Sequence, residues 1–373
     1  METKIIQLDE VNIDTAAIKM AAAFLDAGEL IAFPTETVYG IGCRVDSVSL
    51  KKLDLLKDRP KDKYYTLHIA SPADAAKFVP ETGLRAKSLI RKAWPGPLTI
   101  IFELNEDDID AQKKKLPPEV FENLYRDNSI GIRCPDNKIA SALLAEARYP
   151  VVAPSANISG KAPAADAQQV MGYFENQIKI VLNGGPCKHK VNSTIVKFAD
   201  NNVSILRQGI LTESQVLEMA QVTILFVCTG NSCRSPMAEG LFKKYLSQKL
   251  QCPVDQLAQK GYNVISAGTM GMVGYPATAE AVKSCADREV DISSHRSRAL
   301  NKYLIEQSDL IYALTRMHQE DIIDISPEAK ERCFLLAADK DINDPIGQSQ
   351  QYYNRCAELI DTAVKKRIEE LIL

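Results

Sequence analysis

Cys228 and Arg234 bound the string CTGNSCR, which follows directly on the apolar run ILFV. A strand that delivers a thiol into a short polar loop, with an arginine where a helix starts, aims backbone N–H groups and the positive end of the helix dipole at one spot. Such a spot is an anion cradle. The Arg234 guanidinium can take two oxygens of a phosphoryl group in bidentate fashion. In that field a thiolate is favoured over a thiol, so Cys228 is expected to be a strong nucleophile at neutral pH. Thr229, Gly230, Asn231, Ser232 and Cys233 supply the loop; Ser235 is the expected hydrogen-bond partner of the thiolate, and the Asn231 side chain the brace that keeps the loop in shape. In DINDPIG, Asp344 precedes Pro345 in a turn and is the candidate acid for a leaving group. Cys233 has two readings: a partner for a protective Cys228–Cys233 disulfide under oxidation, or a small residue that fits a crowded loop. Against all this stands the plain alternative that a cysteine after an apolar strand is a small buried hydrophobe.

A second constellation lies upstream. Lys57 and Arg59 (in KDRP), Arg133 (in IGIRCP) and Arg207 (in ILRQG) sit in short, conformationally restricted segments rather than on helix faces. Thr37 (in AFPTETVYG), Ser155 (in VVAPSANISG) and Ser193 (in NSTIV) place hydroxyls at strand ends. Cations that converge on loops suit a polyphosphate and a carboxylate. The chain has no G-x4-G-K-[ST], so this is not a Walker-type nucleotide loop. Each residue also has a bland reading: Arg59 as a solvated helix-end residue, Trp94 as a core anchor, His68 (in TLHIA) as a satisfied strand histidine.

The elements that must hold these residues divide the chain at residues 219–221, giving segments 1–218 and 221–373, since 373 residues exceed one ordinary core. In the first segment, helical periodicity over 14–28, 84–93, 139–147 and 165–174 alternates with strand-like LIAFPT, VVAPSAN, IKIVLNGG, NSTIVKF and NVSILRQG. This predicts a mixed α/β unit. LTESQVLEMA adds a capped helix before the boundary. The second segment alternates VTILFV, a helix over 237–249, NVISAG, a helix over 277–286, LIYAL and a helix over 351–372. That rhythm predicts a doubly wound parallel sheet. Hydrophobic residues make up 46% and charged residues 25%, with net charge −3, which fits a soluble globular chain and argues against a polybasic nucleic-acid binder. Nine cysteines without framework spacing imply a reducing, cytoplasmic compartment, and four histidines away from cysteine pairs argue against a structural metal. No run is long enough to cross a membrane and the N-terminus lacks signal-peptide character.

Taken in order, VCTGNSCRSPMAE, SAGT, DISSHRSRAL and the late Asp344-Pro345 closely resemble the low-molecular-weight protein tyrosine phosphatase family over all of 221–373. The resemblance implies a four-stranded parallel sheet with a phosphate-binding loop and a phosphocysteine intermediate: Cys228 attacks, the loop and Arg234 stabilise the transition state, and Asp344 protonates the leaving group and then activates water. Two positions depart from the phosphotyrosine pattern, Ser232 where a bulky aliphatic is usual and Ile346 where an aromatic is. Bacterial protein-arginine phosphatases of the family are closer at Ser232, so phosphotyrosine and phosphoarginine both stand. Arsenate reductase shares the loop but normally needs further redox cysteines, which Cys285, Cys333 and Cys356 do not obviously supply.

The upstream motifs, with WPGPLT, resemble the YrdC-like threonylcarbamoyl-AMP synthase family over about residues 5–210. That resemblance implies a twisted mixed sheet with helices around a positively charged cavity. The implied reaction joins L-threonine, bicarbonate and ATP, with Mg²⁺, into threonylcarbamoyl-AMP and pyrophosphate, feeding the t6A modification of tRNA through other proteins. Carried over by motif, Thr37, His68, Arg133, Ser193 and the backbone at Ala153 fall on the threonine side, and Lys57, Arg59, Ser129, Ser155, Asn157 and Arg207 on the ATP side. Lys63-Tyr64-Tyr65 replaces the Asn-Pro-Leu common in relatives, Ala162-Pro163-Ala164 a Ser-Pro-Thr, and Asn192 precedes Ser193; these changes touch the ATP rim. A competing reading makes this segment an RNA- or nucleotide-binding module without turnover.

Overall fold

The computed structural model describes residues 2–60, 63–80 and 82–372. The chain forms two compact units, one of Met1–Thr82 with Leu89–Ala220 and one of Gly83–Ser88 with Gln221–Leu373.

In the first unit the described strands are β1 (Lys4–Gln7), β2 (Ile31–Phe33), β3 (Gly40–Arg44), β4 (Thr66–His68), β5 (Leu98–Glu103), β6 (Tyr125–Arg126), β7 (Ser129–Arg133), β8 (Val151–Val152), β9 (Ile180–Asn183), β10 (Thr194–Ala199) and β11 (Asn202–Arg207). They form one mixed sheet in the order β1-β9-β2-β3-β8-β4-β7-β5-β10-β11, with β6 paired to β7. The helix Thr15–Asp26 starts at Asp14, whose Oδ1 accepts from the backbone N–H groups of Ala16 and Ala17. Its Ile18, Ala21, Ala22 and Leu25 recur at helical spacing and pack with Ile31, Phe33, Ile139, Leu143 and Ile180 in one buried cluster. Each large side chain so buried contributes about 1.5–3 kcal/mol, and Leu25→Ala would cost about 2–5 kcal/mol.

Strand alternation creates the cavity face. On β7, Ile130 and Ile132 are buried in the core while Ser129, Gly131 and Arg133 line a cavity. On β5, Leu98, Ile100 and Phe102 turn inward and Thr99 and Ile101 outward; on β4, Leu67 is buried between Thr66 and His68. VVAPSAN is extended for only two residues as β8, because Pro154 has no N–H to give a ladder; the chain then touches β3 through a single bridge between Gly40 and Ser155.

In the second unit β12 (Val222–Cys228), β13 (Tyr262–Gly268), β14 (Leu310–Ala313) and β15 (Cys333–Leu335) form an all-parallel sheet in the order β13-β12-β14-β15. Alternate residues of β12 feed opposite faces. Ile224, Phe226 and Cys228 join Met237, Leu241, Ile360 and Val364 from helices Arg234–Lys249 and Gln350–Glu369. Leu225 and Val227 join Ile305 and Ile322 on the other side. The first helix starts at Arg234, three residues earlier than its apolar periodicity suggests, since Pro236 is tolerated in a first turn and Ser235 and Pro236 are themselves buried.

Candidate active sites

The crossover loop after β12 is braced by Ser235, Ser266, His295 and Arg298 through Asn231. Asn231 has a left-handed backbone, φ 51°, a conformation that asparagine tolerates better than most residues. Its Nδ2 donates to Ser235 Oγ (2.9 Å) and Ser266 Oγ (2.8 Å), its Oδ1 accepts from the N–H of Arg298 (2.8 Å), and its carbonyl accepts from His295 Nε2 (2.8 Å). Asn231 therefore braces the loop as its sequence position suggested. Gly268, ending β13 in SAGT, is needed for a related reason: a Cβ there would lie 2.6 Å from the Thr229 carbonyl oxygen and 2.9 Å from Asn231 N.

Within this loop Cys228 Sγ lies 3.0 Å from Ser235 Oγ and accepts from the N–H of Asn231 at 3.3 Å. The thiol is 2% exposed. Burial pushes its pKa up, against the pull of Ser235, Arg234 and the Asn231 N–H. Against the expected preference for the thiolate, burial is the larger influence in this loop. Arg234 has partners of its own: its Nη2 pairs with the Asp344 carboxylate and donates to Thr229 Oγ1 (3.1 Å), and its Nη1 donates to the carbonyl of Ile342 (3.0 Å). Asp344 is thus brought to the loop. Ser232 is half-buried and Ile346 exposed. Cys233 is a free thiol, 3.3 Å from the Tyr353 hydroxyl.

His318 was not anticipated as part of this site. It is buried, its Nε2 lies 2.9 Å from Thr229 Oγ1, and its Nδ1 lies 2.8 Å from Thr315 Oγ1. Burial, helped by Arg234, lowers its pKa to about 4, so it is neutral at pH 7 and braces Thr229 beneath Arg234. Its only sequence signal was a histidine in the first turn of a helix following the apolar run LIYAL.

The first unit holds a cavity of about 500 Å³. Of the residues singled out from sequence, Arg59, His68, Ser129, Arg133, Ala153, Ser155, Ser193 and Arg207 line it, and Thr37, Lys57 and Asn157 stand behind its wall. Lys57 Nζ donates to the carbonyls of Ser155 and Asn157. Asn157 accepts from Ser155 Oγ (2.6 Å) and donates to the carbonyls of Ile158 and Lys161. The pair shapes the SAN loop instead of facing the cavity. Burial, with Arg59 and Lys63 adding to it, lowers the Lys57 pKa to about 8.

Register across β4, β7 and β5 sets His68, Arg133 and Thr99 side by side. Arg133 Nη2 donates to Glu36 Oε1 (2.9 Å) and Thr37 Oγ1 (2.6 Å). Glu36 and Arg133 are both buried, and the Glu36 carboxylate also accepts from the Asp136 N–H. This carboxylate, unassigned from sequence, fixes the arginine and offsets its charge; the signal lay in the acidic residue between the threonines of PTETVYG. His68 Nδ1 donates to the Thr66 carbonyl (3.0 Å), and burial next to Arg133 lowers its pKa to about 3. A neutral imidazole with Nε2 free as an acceptor results. Ser193 Oγ meets Thr99 Oγ1 at 3.1 Å, and Arg207 Nη2 donates to the Ser193 carbonyl (2.8 Å). Both sites share one trait: among the described residues, the buried Nε–H groups of Arg133 and Arg234 have no hydrogen-bond partner, and that of Arg59 has only the Asp54 carboxylate at 3.6 Å. Buried donors of this kind are costly unless something accepts from them.

The family model described as "Telomere recombination", covering Sua5, YciO and YrdC, matches residues 23–209, and that for low molecular weight phosphotyrosine protein phosphatase matches residues 223–372. Threonylcarbamoyl-AMP synthase of Bacillus subtilis is 35% identical over 209 residues, which are 56% of this chain and 58% of that protein. The chain thus spans little more than half of that relative's length. The low molecular weight protein-tyrosine-phosphatase Ptp of Acinetobacter johnsonii is 37% identical over 144 residues, 38% of this chain and 92% of the relative. Among solved structures, a double variant of P. abyssi Sua5 superposes with a TM-score of 0.51 at 25% identity, covering 72% of this chain and 91% of the other.

Proposed function

We propose a two-site enzyme on this premise: the chain belongs to the Sua5/YciO/YrdC family through residues 23–209 and to the low molecular weight phosphotyrosine protein phosphatase family through residues 223–372. The first site is a threonylcarbamoyl-AMP synthase. The observation that carries this reading is the cavity itself, where a neutral histidine and three arginines converge and no carboxylate appears among its described lining residues. Arg133, with Thr35, Thr99 and Ser193 around it, suits the carboxylate and hydroxyl of L-threonine. Arg59 and Arg207 suit the triphosphate of ATP. With no lining carboxylate, Mg²⁺ would be carried on the triphosphate's own oxygens, where it offsets their charge. The chain's contribution is to hold the threonine carbamate in line with the α-phosphate and offset the charge that builds there.

The second site is a cysteine-dependent phosphatase. A phosphoryl group seated on the loop N–H groups draws Arg234 onto its oxygens. Cys228 gives up its proton to solvent, and the thiolate, stabilised by Ser235 Oγ and the Asn231 N–H, attacks phosphorus. The bond from phosphorus to the departing oxygen or nitrogen breaks as a protonated Asp344 gives that atom its proton. Water then cleaves the phosphocysteine to phosphate and frees the thiol. The polar Ser232 wall favours a phosphoguanidinium over a phosphotyrosine ring. Supplying threonine, bicarbonate and ATP should yield pyrophosphate only when all three are present. The full chain should also hydrolyse phosphoarginine faster than phosphotyrosine. Pyrophosphate release independent of threonine would remove the first assignment, and a phosphotyrosine preference would remove the specificity.

A further inference from the structure

The cavity extends beyond the cations to a rim that the motif residues leave unassigned. Along β7, Arg133 and Ser129 are four residues apart, roughly 13 Å at about 3.3 Å per residue, and both line the cavity. At the Ser129 end, β6 and β7 turn tightly through Asp127 and Asn128, both with left-handed backbones at φ 48° and 53°. This turn captures Tyr64. The Tyr64 hydroxyl bonds the Asp127 carboxylate, and the Arg126 guanidinium lies over the ring, 4.9 Å from its centroid. The next aromatic differs. Tyr65 carries the Arg59 guanidinium over its ring at 4.9 Å and spends its hydroxyl on Asp54 (2.6 Å).

Tyr64 lines the cavity yet is 48% exposed. Arg126 lies over one face of the ring and Asp127 holds its hydroxyl, while Tyr64 lines the cavity and Arg126 does not; a half-exposed ring held at two points in this way can offer an aromatic platform to the cavity. Its carbonyl accepts from Arg59 Nη2 (2.7 Å), so the platform adjoins a phosphate-binding cation. Lys63 and Leu124 line the same stretch. An aromatic face beside phosphate cations, about one nucleotide's length from an amino-acid carboxylate site, suits a flat π-system joined to phosphates.

We infer that Tyr64 is the stacking platform for the nucleobase, held in place by Arg126 and Asp127. The inference rests on the reading of the cavity as an ATP site. Base–aromatic stacking is worth about 1–3 kcal/mol by substitution, so removal of the ring should weaken nucleotide binding about tenfold and leave phosphate binding alone.

The test is calorimetric titration of the full chain with ATP and, separately, with inorganic tripolyphosphate. Tyr64→Leu should raise the ATP Kd about tenfold and change the tripolyphosphate Kd less than twofold, while Tyr64→Phe retains ATP affinity within about threefold. An unchanged melting temperature in both variants excludes a general loss of fold. Equal weakening of both ligands in Tyr64→Leu would mean that the residue acts only through Arg59, and overturns stacking. Unchanged ATP affinity overturns it as well. If the unaltered chain binds neither ATP nor tripolyphosphate, the nucleotide-site reading itself fails, and the platform with it.

Discussion

On the proposed reading, the loop after β12 and the cavity meet the same electrostatic problem, holding an oxyanion on arginines, by opposite means. The loop draws its nucleophile, its cradle and its arginine from consecutive residues 228–234, with Asn231 and Gly268 enforcing the close turn. The cavity collects its groups from β4, β5, β7, the SAN loop and β11, each contributing one or two side chains through strand alternation. A local loop can carry a reactive atom because every neighbour is fixed by the same turn. A distributed cavity can span a long substrate, and the reaction proposed for it needs only positioning and charge. The two sites share no side chain, and this makes the contrast testable by substitution.

The largest effect is expected in the loop. Cys228→Ser should lower phosphatase turnover by on the order of 10⁴-fold or more, since a hydroxyl stays protonated where a thiol can ionise. Vanadate binding should persist, because the N–H groups and Arg234 remain. Retained turnover in this variant would end the nucleophile assignment. Asp344→Ala should cost about 10²–10⁴-fold with poor leaving groups and much less with good ones, which depart without a proton. A uniform loss across leaving groups would assign Asp344 to Arg234 positioning alone. In the cavity, Arg133→Ala should reduce pyrophosphate formation by about 10²–10³-fold while phosphatase activity stays within twofold. A matching fall in both activities would break the division between the sites.

Sequence conveyed the two regions unequally, for a reason that these sites make plain. The loop's residues are contiguous, so its spacing was enough to bring Cys228, Arg234, Asn231 and Ser235 together as the structure has them, and the parallel sheet followed from alternating strand and helix periods. What spacing missed was burial. The thiol's upward shift and the Arg234–Asp344 pair depend on how tightly the loop packs, which no local pattern encodes. In the cavity, cations in restricted segments indicated a polyanion site, yet sequence could not tell a cation facing the cavity from one spent on backbone carbonyls. Lys57 has the motif's position and a structural task. Strands as short as Thr66–His68 lack a readable period, so the register that sets His68 beside Arg133 emerged only from the fold. Glu36 was invisible for the same reason, and Tyr64 showed only as a departure at the ATP rim, because their partners lie about 100 and 60 residues away, respectively.

The smallest expected effect concerns the two neutral histidines, one in each region. His68 and His318 have pKa values lowered to about 3 and about 4, chiefly by burial, against an ordinary value near 6.5. Between those folded values and 6.5 the unfolded chain binds more protons than the folded one, so stability rises with pH there and is lost as pH falls. Nothing of this kind is expected above about pH 7, where each histidine is neutral in both states. At pH 4.5 the penalty should be about 1–3 kcal/mol per histidine and similar for the two, since both folded values lie below that pH. A glutamine keeps an amide N–H for the Thr66 carbonyl but does not titrate. Calorimetric melting temperatures of the full chain should therefore fall less between pH 6.5 and pH 4.5 in His68→Gln than in the unaltered chain, and His318→Gln should show a similar flattening. Parallel pH profiles for all three proteins would mean that neither imidazole is held neutral, and the acceptor role given to His68 Nε2 in the cavity would go with it.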